Sequence, residues 1–451
     1  MSQAIPSSNH QPSASQHNSA AAHLNHAPQQ YLFGRAGTLG IFSLLCLLMV
    51  FDFADRLIIA GLLPYIKAEW SLSDAQSGLL SSLLTLGMVL FAFPVSLAID
   101  RWSRIKTASL MGVFWGLASA SGALAQSFGQ LAASRALVGA GEAAYAPASY
   151  AWITAAFPRR RLQLALGVFS ASQPIGMALG IALGGYIAAH YGWRHALGLL
   201  AIPGILVAIA LYRCRDYQNI VPLSQANAPR INHWQVLKEN LGNIGRTPSL
   251  LLAYLSGAMA TLQWVPIIFF LPTYLNRIHG LPLQQATLMT SGLLMIGVVA
   301  IPLGGWIMDA LNRRYRQAKV YFSVVAFALA SLLYWLAFGL PHAVNTQYLL
   351  IVAASFSAAV SASGPLSMTQ ELAPPSGRAL SGTASVMTLH LLGSVPGPFL
   401  AGLLSDRYGL DQALLILPAS SGLLAVLFIA SALRYYRQDL ARVSQYQVQP
   451  A

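Results

Sequence analysis

Charge is what this chain lacks. Only 9% of its 451 residues are Asp, Glu, Lys or Arg, against about 25% in a soluble domain. That deficit excludes an ordinary water-soluble fold. Cysteine is nearly absent as well. Cys46 lies in the first apolar run and Cys214 at the end of the sixth, which leaves no disulfide framework. The first 30 residues hold no Lys, Arg, Asp or Glu, so they lack the basic start of a secretory signal and read as a disordered polar tail. Their histidines (His10, His17, His23, His26) are irregularly spaced, so no metal or cofactor is expected. Also missing are H-E-x-x-H, G-x-S-x-G and the phosphate-cradling G-x-x-x-x-G-K-[ST]. Their absence argues against a metalloprotease, a serine hydrolase and an ATP-driven pump, and no enzymatic role is expected. GAGEAA (139–144) matches a nucleotide fingerprint only in letters, because it lies inside an apolar helix rather than after a strand.

What is present is apolar sequence in long runs. Twelve are long enough to cross a bilayer, which takes roughly 20 residues each. They cover 38–63, 76–99, 107–126, 130–157, 163–189, 195–213, 249–274, 284–311, 320–340, 347–370, 379–404 and 412–434. The expected fold is all-α: a polytopic membrane protein of twelve transmembrane helices in two pseudo-symmetric six-helix halves. The expected divisions are a polar tail (1–35), a first half (36–213), a central loop (214–248), a second half (249–435) and a second tail (436–451).

The formal charge of +13 could suggest nucleic acid, but its distribution does not. Twenty of the 26 Lys and Arg fall on the side of the membrane that bears the termini, four in the opposite loops and two within spans. This is the positive-inside pattern, and it places both termini in the cytoplasm.

The halves echo one another. SLAIDRWSRIK (96–106) and GWIMDALNRR (305–314) each place an Asp at the end of a span and an Arg four residues on. The charged residues of this repeat are Asp100, Arg101, Arg104, Asp309 and Arg313. GYIAAHYGWRHAL (185–197) and GLLSDRYGLDQAL (402–414) share G-x5-Y-G-x3-A-L. Repeated halves are characteristic of secondary carriers whose site lies between them.

Against this apolar background, charges inside the spans stand out. Arg135 and Glu142 are seven residues apart and so lie near one helical face, about 20° from alignment. Asp52, Asp55 and Arg56 crowd the first span. Ionisable groups at membrane depth are costly and usually buried, paired and functional. Facing each other, these five form a network of three acids and two bases. It is neutral with one acid protonated and carries one excess negative charge with none protonated. Such a group can load and release a proton, and its charge can bias which arrangement of the halves is favoured. The competing reading is a permanent salt-bridge staple. Tyr145, Tyr150, Gln173, Gln263, Trp264 and His390 are the polar candidates for substrate contact; each could equally be a packing residue. Gly176, Gly180 and Gly184 on span five allow close helix approach.

These residues resemble the major facilitator superfamily, and within it the Spinster-type branch. SLAIDRWSRIK is similar to the superfamily's Gly-x-x-x-Asp-Arg-x-Gly-Arg loop, with Ser96 and Ser103 in place of its glycines. FDFADR (51–56) resembles the branch's Asn-Tyr-Met-Asp-Arg, aligning Asp55 and Arg56 and placing Asp52 where Asn is usual. RALVGAGEAAY (135–145) resembles its fourth-span motif. HLLGSVPGPFLAGLLSDRYG (390–409) is similar to its eleventh span, with Ser394 where an Asp is common. The resemblance implies that Asp55 and Glu142 are the proton-linked acids with Arg135 as their partner. It also implies that Asp100 and its loop latch the halves on the cytoplasmic side, with Arg101, Arg104, Asp309 and Arg313 as further elements of that latch.

The expectation is a proton-coupled carrier in a bacterial inner membrane, acting as a monomer by alternating access and exporting a small organic or amphipathic molecule. Its partners would be that substrate, protons and membrane lipid. Proton-linked uptake of an organic acid is the nearest alternative, and a non-transporting sensor on a carrier fold is a further one.

Overall fold

The computed structural model describes residues 30–101, 103–143, 145–217, 242–315, 317–374 and 377–445. Within them the chain is helical throughout. The first half comprises α1 (Gly34–Trp70), α2 (Asp74–Arg101), α3 (Arg104–Ala123), α4 (Phe128–Glu142), α5 (Tyr145–Ala156), α6 (Arg159–Tyr191) and α7 (Trp193–Tyr212). The second comprises α8 (Pro248–His279), α9 (Leu283–Asn312), α10 (Ala318–Gly339), α11 (Val344–Ser361), α12 (Ser363–Glu371), α13 (Arg378–Leu389), a π-helical turn (His390–Ser394), α14 (Pro396–Tyr408) and α15 (Leu410–Gln445).

Ten helical stretches are long and apolar enough to cross a bilayer. The two expected spans outside that set have physical reasons to be weaker. α3 opens on Arg104 and Lys106 and is rich in Ser and Gly. The fourth span is divided into α4 and α5, of 15 and 12 residues. Together they complete twelve spans in two halves of six.

Three spans are interrupted, and each interruption lies about four residues before a proline. A proline ring clashes with the carbonyl four residues back and removes a hydrogen bond there. Pro147 acts on Ala143, where α4 ends; Pro365 acts on Ser361, where α11 ends; Pro396 and Pro398 act on Leu392 and Ser394, inside the π-turn. Pro64, Pro174 and Pro203 are absorbed without dividing their helices.

The pseudo-symmetry read from the sequence has a backbone counterpart. Gly192 and Gly409, equivalent positions in the repeated motif, join spans five to six and eleven to twelve. Their torsions are φ 87°, ψ 155° and φ 90°, ψ 156°, a region that residues with a Cβ essentially avoid. Within the first half α1 packs on α6, α3 on α7 and α2 on α4. Within the second, α8 and α10 pack on α15 and α9 on α11. The halves meet where α2 packs on α14 and α6 on α9. Large apolar side chains such as Leu90, Leu206, Val299, Val325 and Leu427 are at least 60% exposed, as a lipid-facing surface requires.

Packed chain reaches into both segments expected to be tails. Tyr31 stacks edge-on against Phe157, and Phe33 lies parallel to Trp152, so the chain is packed before residue 36. At the other end α15 runs on to Gln445, with Tyr436 and Asp439 buried. Asp439 accepts hydrogen bonds from the Ser249 amide at 3.0 Å and hydroxyl at 2.5 Å, which caps the start of α8. Residues 1–29, 218–241 and 446–451, the bulk of the expected tails and central loop, lie outside the described residues.

Candidate functional site

The five charged residues singled out in spans one and four converge inside the first half. α1 contributes Asp52, Asp55 and Arg56; α4 contributes Arg135 and Glu142. Arg135 is wholly buried, as is Asp52, while Asp55 and Glu142 are 6% and 1% exposed. Close approach of the helices brings them together. A Cβ on Gly139 would sit 1.8 Å from the Leu84 carbonyl oxygen of α2, and one on Gly180 would sit 2.1 Å from the Ala54 carbonyl oxygen of α1. Only glycine permits those backbone contacts.

The pairing differs from the expected one. Arg135 does not serve both acids. It contacts Asp55 at 3.4 Å, donates to the Asp55 carbonyl, and donates at 3.0 Å to the hydroxyl of Ser119 on α3. Ser119 in turn donates to the other Asp55 carboxylate oxygen. Glu142 pairs instead with Arg56, its Oε2 lying 2.9 Å from Nε but off the N–H direction. Arg56 also holds Asp52 at 3.1 Å, reaches the Met88 sulfur of α2 at 3.4 Å, and lies 4.4 Å over the Phe53 ring. The arrangement is thus two linked units: Asp55–Arg135–Ser119, and Asp52–Arg56–Glu142. Ser119 was missed because a serine in an apolar helix has no distinctive sequence signal.

The substrate-contact candidates divide. Two are corrected by the structure. Tyr145 is fully buried inside the first half, with its hydroxyl bonded to the Leu45 carbonyl and its ring edge-on to Trp115. Gln263 is fully buried inside the second half, donating at 3.1 Å to Ser331. Both side chains are enclosed by helices of their own half and line no interface between halves. Tyr150 is half-buried with its hydroxyl 3.1 Å from Ser170; Gln173 and Trp264 are also half-buried. His390 is half-buried on the π-turn, 3.3 Å from the Ser394 hydroxyl and near enough to Arg56 to feel its charge. It is the second half's titratable group facing the cluster. A separate cavity of about 420 Å³, lined by Asn243, Arg246, Thr247, Pro374, Arg442 and Val443, lies on the terminal face, away from these groups.

Asp309 and Arg313 are exposed and make no ion pair among the described residues. Arg104 lies 4.8 Å over the Tyr217 ring, beside a cap in which Ser103 and the Ile105 amide donate to Asp216. The side chains of Asp100 and Arg101 lie outside the described residues. The lock that is present joins the halves at the opposite face. Asp74, 3% exposed at the start of α2, accepts from Arg277 of α8 at 2.8 and 2.9 Å, from Ser405 of α14 at 2.6 Å, and from Lys67. Asp406 of α14 accepts the Asp74 and Ala75 amides at 2.7 and 3.0 Å, so one half caps a helix of the other. Backbone contacts seal the same region, where a Cβ on Gly78 would meet the Pro398 carbonyl oxygen at 2.1 Å. Together these contacts close the halves on the far face. A further cross-half hydrogen bond, from the Ser291 hydroxyl of α9 to the Ala178 carbonyl of α6 at 2.8 Å, lies level with the charge cluster, since Gly176 and Gly180 flank Val50 and Ala54 of α1. A sequence signal for the lock existed: Lys67 and Arg277 are two of the four basic residues in the far loops.

The Major Facilitator Superfamily profile matches residues 45–385. The chain belongs to the major facilitator superfamily. An MFS-type efflux pump of Mycolicibacterium smegmatis is 26% identical over 427 residues, covering 88% of this chain and 93% of the pump. The 4-hydroxybenzoate transporter PcaK of Pseudomonas aeruginosa is also 26% identical, over 419 residues, covering 85% of this chain and 91% of the transporter. A solved bacterial homologue of the human lysosomal transporter Spinster, in an inward-facing and occupied conformation, has the same fold. Its TM-score is 0.74 at 20% identity, with 93% of this chain and 100% of that one covered. That likeness extends the fold of this superfamily member over nearly the whole chain.

Proposed function

We propose that this chain is a proton-coupled secondary carrier. It exports a small organic or amphipathic molecule by alternating access, as a monomer in a bacterial inner membrane with both termini in the cytoplasm. The orientation follows from the positive charge on the terminal face. The observation that carries the reading is the burial of three acids and two arginines together at membrane depth, beside the interface between two pseudo-symmetric halves. With all acids ionised the cluster holds one uncompensated charge, a state stabilised where water reaches it and disfavoured where it is sealed. Protonation removes that charge and permits the sealed state, so proton occupancy and the arrangement of the halves are linked.

The experiment is a dye-quenching screen of organic substrates in proteoliposomes across an imposed pH gradient. Substrate-dependent proton movement supports the reading; counterflow without it means an uncoupled carrier, and absence of counterflow across the panel favours the sensor. Uptake of an organic acid is the second reading, favoured by Arg56 and His390 standing near each other from opposite halves, where an anion would find a guanidinium and an imidazole N–H donor. The polarity of the gradient that drives accumulation separates the two directions.

A further inference from the structure

Resting on that proton-coupled reading, we infer that the exchangeable proton is shared by Asp52 and Glu142 across Arg56, and that Asp55 stays ionised as part of a fixed scaffold. The two units of the charge cluster are unequal. Both carboxylate oxygens of Asp55 have donors, Ser119 on one and Arg135 on the other, while Arg135 also binds the Ser119 oxygen. Acid and base match one to one, so this unit is neutral without a proton. A proton placed on Asp55 would leave Arg135 buried without a counter-charge.

The second unit has two carboxylates and one guanidinium. Asp52 Oδ2 contacts Arg56, but Asp52 Oδ1 is buried without a partner. Glu142 Oε2 lies against Arg56 off-axis, and Glu142 Oε1 is buried without a partner. Asp52 is 0% exposed and Glu142 1%, so bulk water does not satisfy the orphaned oxygens. Ionising both would place one excess negative charge in this setting. A single proton removes that charge and supplies the missing donor. In a pair sharing one cation, the proton belongs to the pair and not to one named oxygen.

No other cation answers the deficit. The membrane-depth stretches packed around α1, residues 75–99, 107–126, 162–185, 196–211 and 255–273, contain no Asp, Glu, His, Lys or Arg. The ionisable groups around the pair are Asp55 on α1, Arg135 on α4 and Tyr145 on α5, with Cys46 reaching Tyr145 and His390 of the π-turn reaching Arg56. Arg135 is committed to Asp55, and a charged His390 would confront the like charge of Arg56. Asp52 therefore contributes an acid that no base in the cluster matches.

The test uses the purified full-length protein and needs no substrate. A buried protonated carboxyl gives an infrared C=O stretch, separate from the carboxylate bands, that shifts in deuterium oxide. At neutral pH the wild type is expected to show one such group. Asp52→Asn and Glu142→Gln should each abolish it, because the remaining carboxylate is then matched to Arg56 and ionises. Asp52→Ser should repeat the Asp52→Asn result, so poor folding of one variant does not decide the matter. Persistence of the band in the folded Asp52 variants, with loss in Glu142→Gln, would assign the proton to Glu142 alone and overturn the inference. So would a wild type without the band. Proton coupling itself is tested by flux in proteoliposomes, so a carrier that couples while failing the infrared test refutes only the shared site.

Discussion

Asp74 is the single far-side residue whose removal should loosen the closed arrangement most. It is 3% exposed and joins α2 to α8 and α14. In Asp74→Asn the carboxamide keeps part of the Ser405 contact but loses charge pairing with Arg277 and Lys67. Hydrogen bonds to a charged group contribute about 1.5–3 kcal/mol each. The Arg277 and Lys67 side chains are 35% and 28% exposed, so water recovers much of that and the lower end applies. When the far face opens these groups are hydrated in wild type and variant alike, so the loss falls on the closed state. Taking about 2 kcal/mol as the net difference, the closed-to-open ratio should fall about 30-fold. Spin labels at Gln76 and Gln284, two exposed positions on opposite halves, in a background lacking Cys46 and Cys214, would read this as growth of the longer-distance population. Glu69→Gln is the control. Glu69 pairs with Arg194 and Trp193 within one half, and losing it should leave the distances unchanged. Identical distance distributions in wild type and Asp74→Asn, both folded, would refute the lock.

Glu142→Gln should abolish gradient-driven flux while counterflow survives, because Arg56 then keeps a permanent partner in Asp52; unchanged pH dependence of flux would refute the proton role. Arg135→Ala leaves Asp55 buried without its cation and should cost about 3–5 kcal/mol, read as a lowered unfolding temperature in detergent, with Arg135→Ala/Asp55→Ala losing less than the sum of its parts. Gly139→Ala places a Cβ 1.8 Å from a backbone oxygen and should exceed the ~1–3 kcal/mol of ordinary overpacking, seen as loss of monodisperse protein on size-exclusion chromatography. Gly167→Ala, with nothing within 4 Å, should behave as wild type.

The twelve spans and the charge cluster were legible because lipid makes both conspicuous. A bilayer demands long apolar runs, and an Arg or Glu inside one is an anomaly that single-sequence reading detects. Pairing within the cluster was not legible. Spacing along α4 places Arg135 and Glu142 on one face but cannot say that Ser119, from α3, draws Arg135 toward Asp55. Tyr145 and Gln263 were read as substrate contacts because polar groups in apolar runs must go somewhere; intra-half hydrogen bonding turned out to be the destination. On the terminal face the sequence repeats its Asp–Arg spacing, and there the side chains of Asp100 and Arg101 lie outside the described residues. The lock formed on the other face draws on Asp74, Arg277 and Asp406, which lie on three helices and share no periodicity.

The division between rigid and movable contacts bears on how a proton could act over the distance to that lock. Inside the first half, Gly176 and Gly180 set α6 against the α1 backbone, and Gly139 sets α4 against α2, leaving no room for a Cβ. The charge cluster is built on α1, α3 and α4 of this tightly interlocked unit. Its charge state therefore cannot be relieved by small internal shifts, because close-packed backbones do not slide continuously. Relief must come from admitting or excluding water at the cluster, which means moving one half against the other. Asp74 sits on α2, rigidly coupled through Gly139 to the helix that carries Arg135 and Glu142. A rotation of that half which hydrates the acids from the far side must also pull Asp74 away from Arg277 and Ser405. The cluster and the lock are thus two ends of one rigid body, and a change at either should appear at the other as a population shift and not as a local distortion.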